Sequence, residues 1–204
     1  MKKYFVIGNP INHSLSPKLH NFWFKKHNLN AKYEKLLLEK GKLNDTVQKV
    51  KTGEISGLNV TVPFKQLIIP YLEKLSPEAQ NTQSVNTVYL ENNKLVGHNT
   101  DIAGFELAIR HIKFDTSNKN VLILGAGGVV PSVISALKNL NTKNIFLMNR
   151  TKEKAQKIKE KLEYIEIVDW GDIRDFDMII NATSLGLNKE DDLGLNFESI
   201  KKKI

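Results

Sequence analysis

Val121-Leu122-Ile123-Leu124 runs without a polar residue into Gly125-Ala126-Gly127-Gly128, and a helix with Val129, Val133, Leu137 and Leu140 on one side follows at once. No other stretch limits the fold so tightly. The apolar run reads as a buried strand. Glycines at its end let the chain turn sharply and let a pyrophosphate approach bare backbone at a helix N-terminus, where N–H groups and the helix dipole favour anions. Pro131 falls in the first helical turn, where its missing N–H costs little. Strand, glycine turn and helix together indicate a dinucleotide-binding unit in variant form, since Val130 stands where Gly-x-Gly-x-x-Gly has its third glycine.

The next strand, Asn144 to Met148, should end at the residue that reads the adenosine ribose. NAD sites place a carboxylate there, about 20 residues on, to bond the 2′-hydroxyl. Here the sequence is Asn149-Arg150-Thr151, with Lys154 one turn into a helix expected over Lys152 to Leu162. A guanidinium grips a 2′-phosphate that a carboxylate would repel, so the cofactor expected is NADP. Further on, Met178-Ile179-Ile180 reads as a strand feeding Asn181-Ala182-Thr183-Ser184-Leu185-Gly186-Leu187. In open parallel sheets ligands lie beyond the carboxyl ends of strands, so this loop, Thr183 included, is expected to line the nicotinamide end of the groove.

The first half alternates strands and helices, implying a mainly parallel sheet. Strands are expected over Tyr4 to Ile7, Lys32 to Leu38, Gly57 to Val62, Val85 to Leu90 and Leu95 to His98, the last two joined by a turn at Glu91-Asn92-Asn93. Helices are expected over Pro17 to His27, with Leu19, Phe22, Trp23 and Lys26 at helical spacing, and over Leu43 to Lys51, Gln66 to Leu72 and Pro77 to Asn81. Asp101 to Ile112 reads as a helix with Ile102, Phe105, Ala108, Ile109 and Ile112 on one side. The domain boundary is placed on it, giving a substrate-binding α/β domain over 1–100 and a nucleotide-binding domain over 101–204.

Within the first half, Asn59-Val60-Thr61-Val62-Pro63-Phe64-Lys65 alternates polar and apolar side chains. In an extended strand Asn59, Thr61 and Lys65 would share one face, a polar site backed by a core. Hydride delivery to a ketone leaves charge on oxygen and calls for a cationic or proton-donating group beside it, and Lys65 can supply both. Asp101 follows a strand directly and could orient that amine, although a first-turn Asp is also a routine partner of the helix dipole.

Composition narrows the partners. The chain has 204 residues, 30 basic against 22 acidic, for a net charge of +8. Arginine occurs only at Arg110, Arg150 and Arg174, and apart from Lys201-Lys202-Lys203 the lysines are scattered, which argues against nucleic acid. No apolar run approaches the roughly 18 residues that span a membrane. The absence of cysteine excludes disulfides, thiolate metal sites and cysteine nucleophiles, and fits a reducing compartment.

The ordered set Ser14-Leu15-Ser16-Pro17, Asn59-Val60-Thr61-Val62-Pro63-Phe64-Lys65, Val85-Asn86-Thr87, Asn99-Thr100-Asp101, Gly125-Ala126-Gly127-Gly128, Asn149-Arg150-Thr151 and Asn181-Ala182-Thr183-Ser184 resembles the shikimate dehydrogenase family along the whole chain. The resemblance implies an α/β substrate-binding domain followed by a Rossmann-like, doubly wound NADP domain. It implies a cytoplasmic enzyme that reduces 3-dehydroshikimate to shikimate in chorismate and aromatic amino-acid biosynthesis, with no metal, and a homodimer is compatible with that reading. Lys65 and Asp101 would be the catalytic pair. Ser14 and Ser16 would hold the substrate carboxylate, and Thr61, Asn86 and Asn99 would bond its carboxylate and hydroxyls. Gly125, Ala126, Gly127, Gly128, Asn149, Arg150, Thr151, Lys154 and Thr183 would bind the cofactor. Without the resemblance, Ser14-Leu15-Ser16-Pro17 reads as a helix cap. The chain departs from the family at Gln83-Ser84, where Gly-Ala is usual, and at Ser132, where Ala is common. It also stops at Ile204, after Phe197 to Lys203, where family members continue with a Tyr-containing loop and a substrate-contacting Gln. The expectation is therefore a truncated dehydrogenase with an incomplete nucleotide domain. A quinate/shikimate dehydrogenase of broader specificity and a non-catalytic binding module stay open as alternatives.

Overall fold

Two sheets organise the chain, one in each of two units, Met1–Thr100 and Asp101–Ile204. The computed structural model describes residues 1–186, 190–198 and 200, so Leu187 of the second glycine-containing loop, Ser199 and the terminal lysines lie outside the described residues.

In the first unit the elements are β1 (Lys2–Gly8), α1 (Ser16–Lys26), β2 (Ala31–Leu37), α2 (Leu43–Lys51), β3 (Gly57–Val60), α3 (Phe64–Leu67), β4 (Lys74–Leu75), α4 (Pro77–Thr82), β5 (Thr87–Glu91) and β6 (Lys94–His98). The sheet order is β2-β1-β3-β5-β6-β4. It is mainly parallel, as expected, with β1, β2, β3, β4 and β6 running one way and only β5 running against its neighbours β3 and β6. The cause is local: Asn92 and Asn93 hold φ of 49° and 59°, as a two-residue hairpin turn of the primed type requires.

Alternation along β1 covers both faces. Ile7 joins a core with Leu43, Val47, Val50, Leu58, Val60, Phe64 and Val88, whereas Val6 packs with Ile11 and Tyr33 on the face that carries α1. The structure corrects two expectations here. First, β3 ends at Val60, so the polar alternation does not reach Lys65, which sits in α3, and Val62 is 60% exposed. Second, the helical spacing of Leu19, Phe22 and Trp23 marks the outer side of α1, since all three are exposed and no residue of α1 is buried. The helix is held instead by Phe24 and by Asn21, whose side chain bonds both the carbonyl O and the N–H of Tyr33 at 2.8 and 2.9 Å. Strand β4 carries too little pattern, two residues, to be read from sequence. Gln83 adopts the left-handed conformation at the C-cap of α4, φ 49°, and its Nε2 donates to the Gln80 carbonyl. That conformation explains why glycine is the easier residue there.

In the second unit α5 (Asp101–His111), β7 (Asn120–Leu124), α6 (Val130–Asn139), β8 (Asn144–Met148), α7 (Lys152–Lys159), β9 (Ile165–Val168) and β10 (Met178–Asn181) form an all-parallel sheet of order β10-β7-β8-β9. Val121 and Ile123 face α6 and α7, and Leu122 and Leu124 face a second cluster with Met148, Val168 and Phe176. Burial on both faces is why the strand reads as an unbroken apolar run. Ile165–Val168 was not expected as a strand, because Glu166 interrupts its apolar residues. On α5, Ile102 and Ile109 are buried but Ala108 and Ile112 are exposed, so its inner stripe is narrower than expected. Two chain paths diverge from β7, through β8 and β9 on one side and to β10 on the other. The gap between β7 and β10 is thus the switch point at which such sheets bind ligands.

Phe64 is fully buried and seats the turn that carries Lys65. Phe64→Ala should destabilise the first unit by about 3–5 kcal/mol, read from urea unfolding with Trp23 as reporter in a Trp170→Phe background. Gly125 has φ +107°, and a Cβ there would lie 2.9 Å from the Ala182 carbonyl oxygen. Gly125→Ala should therefore cost about 1–3 kcal/mol in the second unit, and an unchanged unfolding midpoint of that unit would show that the turn tolerates a side chain.

Candidate functional site

Four chain segments of the first unit leave or enter the sheet at the same end. They follow β1, β3 and β6 at their carboxyl ends and precede β5, whose reversed direction brings its start to that side. Those segments carry Ser14 and Ser16, Thr61 and Lys65, Asn86, and Asn99. Backbone bonds tie them together. Thr61 N–H donates to the Ile7 carbonyl at 2.9 Å, Val85 N–H to that of Lys65 at 2.8 Å, Val60 N–H to that of Asn86 at 2.8 Å and Asn86 N–H to that of His98 at 3.0 Å.

Amide and hydroxyl side chains fill the same end. Asn86 is gripped by Thr100, donating from Nδ2 to Oγ1 at 2.9 Å and accepting the Thr100 N–H at Oδ1 at 3.0 Å. Thr87 Oγ1 donates to Asn86 Oδ1 at 3.0 Å and accepts from Asn59 Nδ2 at 3.1 Å. Asn59 in turn accepts the Tyr33 hydroxyl at 2.6 Å. Asn99 is the most enclosed of the set, buried, with Nδ2 donating to Thr82 Oγ1 and the Ser84 carbonyl at 3.1 and 2.8 Å. Ser14 Oγ accepts the Ser16 N–H at 3.3 Å, while the N-cap of α1 is Leu15 and has no side-chain cap, so the pair is not a standard helix cap. Half-buried Lys65 occupies the second position of α3. Such donors and acceptors, held in fixed directions, suit a polyhydroxylated anion.

Sequence reasoning passed over four participants. Gly8 admits no side chain, because a Cβ would lie 2.7 Å from Thr61 Cγ2 and 2.9 Å from Ile11 Cδ1. A glycine closing the apolar run Val6-Ile7 was the available signal. Thr87 and Thr100 flank Asn86 and Asn99 within the quoted motifs, but their roles depend on pairing across strands. Tyr33 gave no signal beyond a buried strand position.

In the second unit the glycine turn is pinned to the end of β8 by Gly125 N–H donating to the Met148 carbonyl at 2.8 Å. Helix α6 starts beyond it with Pro131 in its first turn, no side-chain cap and no acidic residue there. A Cβ on Gly127 would approach nothing closer than 3.9 Å, so the backbone there stands open. At the end of β8 the Asn149 Nδ2 donates to the Thr151 carbonyl at 2.7 Å, and Arg150 and Lys154 are exposed on the same margin. Across the switch point, Asn181 Oδ1 accepts both Thr183 N–H and Thr183 Oγ1–H, at 3.0 and 2.7 Å, and Leu185 N–H donates to Thr183 Oγ1 at 3.1 Å. The glycine turn, the Arg150 margin and the Thr183 loop therefore share the carboxyl end of this sheet, and the bare backbone, uncapped helix start and cations fit a dinucleotide phosphate group. Asp101 opens α5 in the first turn of that helix. Among the described residues no helix is long and apolar enough to cross a membrane.

Comparison with known proteins agrees with both units. Residues 6–88 match the family model described as the shikimate dehydrogenase substrate binding domain, and residues 106–188 that described as shikimate / quinate 5-dehydrogenase. The shikimate dehydrogenase (NADP(+)) of Pelagibacter ubique is 54% identical over 203 residues, 99% of this chain and 77% of the relative. The crystal structure of shikimate dehydrogenase from Aquifex aeolicus superposes with a TM-score of 0.91 at 39% identity, covering 98% of this chain and 76% of that one. That of the Thermus thermophilus shikimate 5-dehydrogenase in complex with NADP(H) and shikimate gives 0.83 at 32% identity, covering 92% and 70%. With two matching family models and a relative more than half identical over 99% of this chain, the chain belongs to the shikimate dehydrogenase family of oxidoreductases.

Proposed function

We propose that this chain catalyses the NADPH-dependent reduction of 3-dehydroshikimate to shikimate, a step of aromatic amino-acid biosynthesis carried out in the cytoplasm. The observation that carries the reading is the gathering of Ser14, Ser16, Thr61, Lys65, Asn86 and Asn99 at one end of a single sheet, in a chain related to a protein crystallised with shikimate and NADP(H). In this reading Ser14 and Ser16 hold the substrate carboxylate. Thr61, Asn86 and Asn99 bond its carboxylate and ring hydroxyls.

Lys65 and Asp101 are the proposed catalytic residues. When bound, the dinucleotide supplies hydride to the carbonyl carbon. Lys65 stabilises the charge that develops on the carbonyl oxygen and delivers the proton that completes the alcohol, and Asp101 is the acidic member of the proposed pair. Gly125, Ala126, Gly127 and Gly128 take the pyrophosphate against bare backbone, Asn149, Arg150, Thr151 and Lys154 take the 2′-phosphate end, and Thr183 lines the nicotinamide end. The description of the second family model favours one further reading, oxidation of quinate in the same pocket; relative kcat/KM on quinate and shikimate decides between them.

The primary assay follows NADPH formation with shikimate and NADP⁺, and an absence of turnover with bound substrate would leave a binding module instead. Lys65→Ala should lower kcat about 10²–10⁴-fold with KM for shikimate changed far less, and an unaltered kcat would remove Lys65 from the chemistry. NADP⁺ should be preferred over NAD⁺. Arg150→Ala should reduce that preference by about 10- to 100-fold, the loss of one charge-assisted contact; equal kcat/KM for the two cofactors in the unmodified protein would remove the role given to Arg150.

A further inference from the structure

Thr87 has no part in the roles above, yet its hydroxyl lies against the amide of Asn86, a residue assigned to the substrate. Around it runs a chain of hydrogen bonds whose direction the main chain dictates. Asn59 Nδ2 donates to the Asn86 carbonyl at 3.2 Å, and a carbonyl can only accept, so Oδ1 of Asn59 is the atom that takes the Tyr33 hydroxyl proton at 2.6 Å. At the other end the Thr100 N–H can only donate, so the Asn86 atom it meets at 3.0 Å is Oδ1. Both amides are thereby oriented. Between them Thr87 Oγ1 accepts from Asn59 Nδ2 at 3.1 Å and gives its single proton to Asn86 Oδ1 at 3.0 Å.

We propose that Thr87 is a positioning residue that makes Asn86 a hydrogen-bond donor toward the substrate, so that this part of the pocket selects a substrate oxygen that accepts. The amide oxygen of Asn86 has two lone pairs, and the Thr100 N–H and the Thr87 hydroxyl fill them. It has no lone pair left for a substrate proton. Asn86 therefore meets a substrate oxygen only through Nδ2, which the Thr100 hydroxyl steadies by accepting from it at 2.9 Å. The main chain of Asn86 is pinned as well, its N–H donating to the His98 carbonyl at 3.0 Å and its carbonyl accepting the Val60 N–H at 2.8 Å. What Thr87 adds is the fixed turn of the amide, and an amide ordered in advance spares the entropy of ordering it at each encounter.

The inference rests on the proposed reading of Asn86 as a substrate ligand. The test measures kcat, KM and Kd for shikimate in the unmodified protein, in Thr87→Val, which keeps the shape but loses the hydroxyl, and in Thr87→Ser, which keeps the hydroxyl. Thr87→Val should raise KM and Kd about tenfold, the loss of one hydrogen bond, and leave kcat within about threefold. Thr87→Ser should stay within about threefold of the unmodified protein in both constants. In an Asn86→Ala background the same Thr87→Val change should move KM and Kd less than about twofold, because no amide is left to orient. A tenfold loss in both backgrounds would mark a merely structural threonine, and an unchanged KM in Thr87→Val or a full loss in Thr87→Ser would equally overturn the proposal. Should Thr87→Val fold poorly, Asn86→Asp gives the second reading, since it keeps the acceptor for Thr87 and Thr100 but cannot donate. It should weaken shikimate at least as far as Asn86→Ala, and a Kd near the unmodified value would overturn the donor assignment. Failure of the parent reading looks different, since Asn86→Ala would then leave KM and Kd unchanged, or the unmodified protein would neither turn over nor bind shikimate.

Discussion

A single reversed strand decides what the first unit can do. With β5 antiparallel to β3 and β6, Asn86 enters the sheet at the end where β1, β3 and β6 finish, and the segments bearing Ser14, Thr61, Lys65 and Asn99 meet it there. Had β5 been parallel, its first residue would lie at the opposite end, a strand length of about 15 Å away. The reversal depends on two asparagines in left-handed conformation at a tight hairpin, one of the few local geometries that returns the chain without a crossover helix.

From that arrangement the polar network follows. Asn59, Thr87, Asn86 and Thr100 satisfy one another across three strands, and polar groups fixed by neighbours in a partly enclosed site are already ordered before a ligand arrives. Pre-ordering lowers the entropy lost on binding. The second unit solves a different problem by the same economy of backbone: Gly125 lies against Ala182 where no side chain fits, so the turn after β7 and the loop after β10 close on each other at the switch point. The backbone left open there, at Gly127, is of the kind that favours an anion at a helix start.

Where a residue's environment is set by its immediate neighbours, sequence alone was sufficient. The β7 strand, glycine turn and α6 helix, the hairpin at Asn92-Asn93 and the α2 helix over Leu43–Lys51 were all legible because their patterns are periodic or their turn chemistry is specific. The polar-apolar alternation through Lys65 misled for a plain reason: alternation describes a strand only while the strand lasts, and β3 stops at Val60. Likewise Leu19, Phe22 and Trp23 have the spacing of a buried face but lie outward, because a side chain bonding a strand edge, Asn21 on Tyr33, can seat a helix as an apolar stripe does.

Residue types and order were enough to determine the α/β class, the glycine turn, the basic margin after β8 and the family to which the chain belongs. These rest on short-range physics: side-chain period, glycine's conformational freedom and the sign of a charge. Which way β5 runs, that Gly8 must be bare for Thr61 to pack, and that Tyr33 reaches Asn59 were decided by tertiary structure. Each depends on atoms distant along the chain being brought within bonding or contact distance, and no local pattern encodes a distance of that kind.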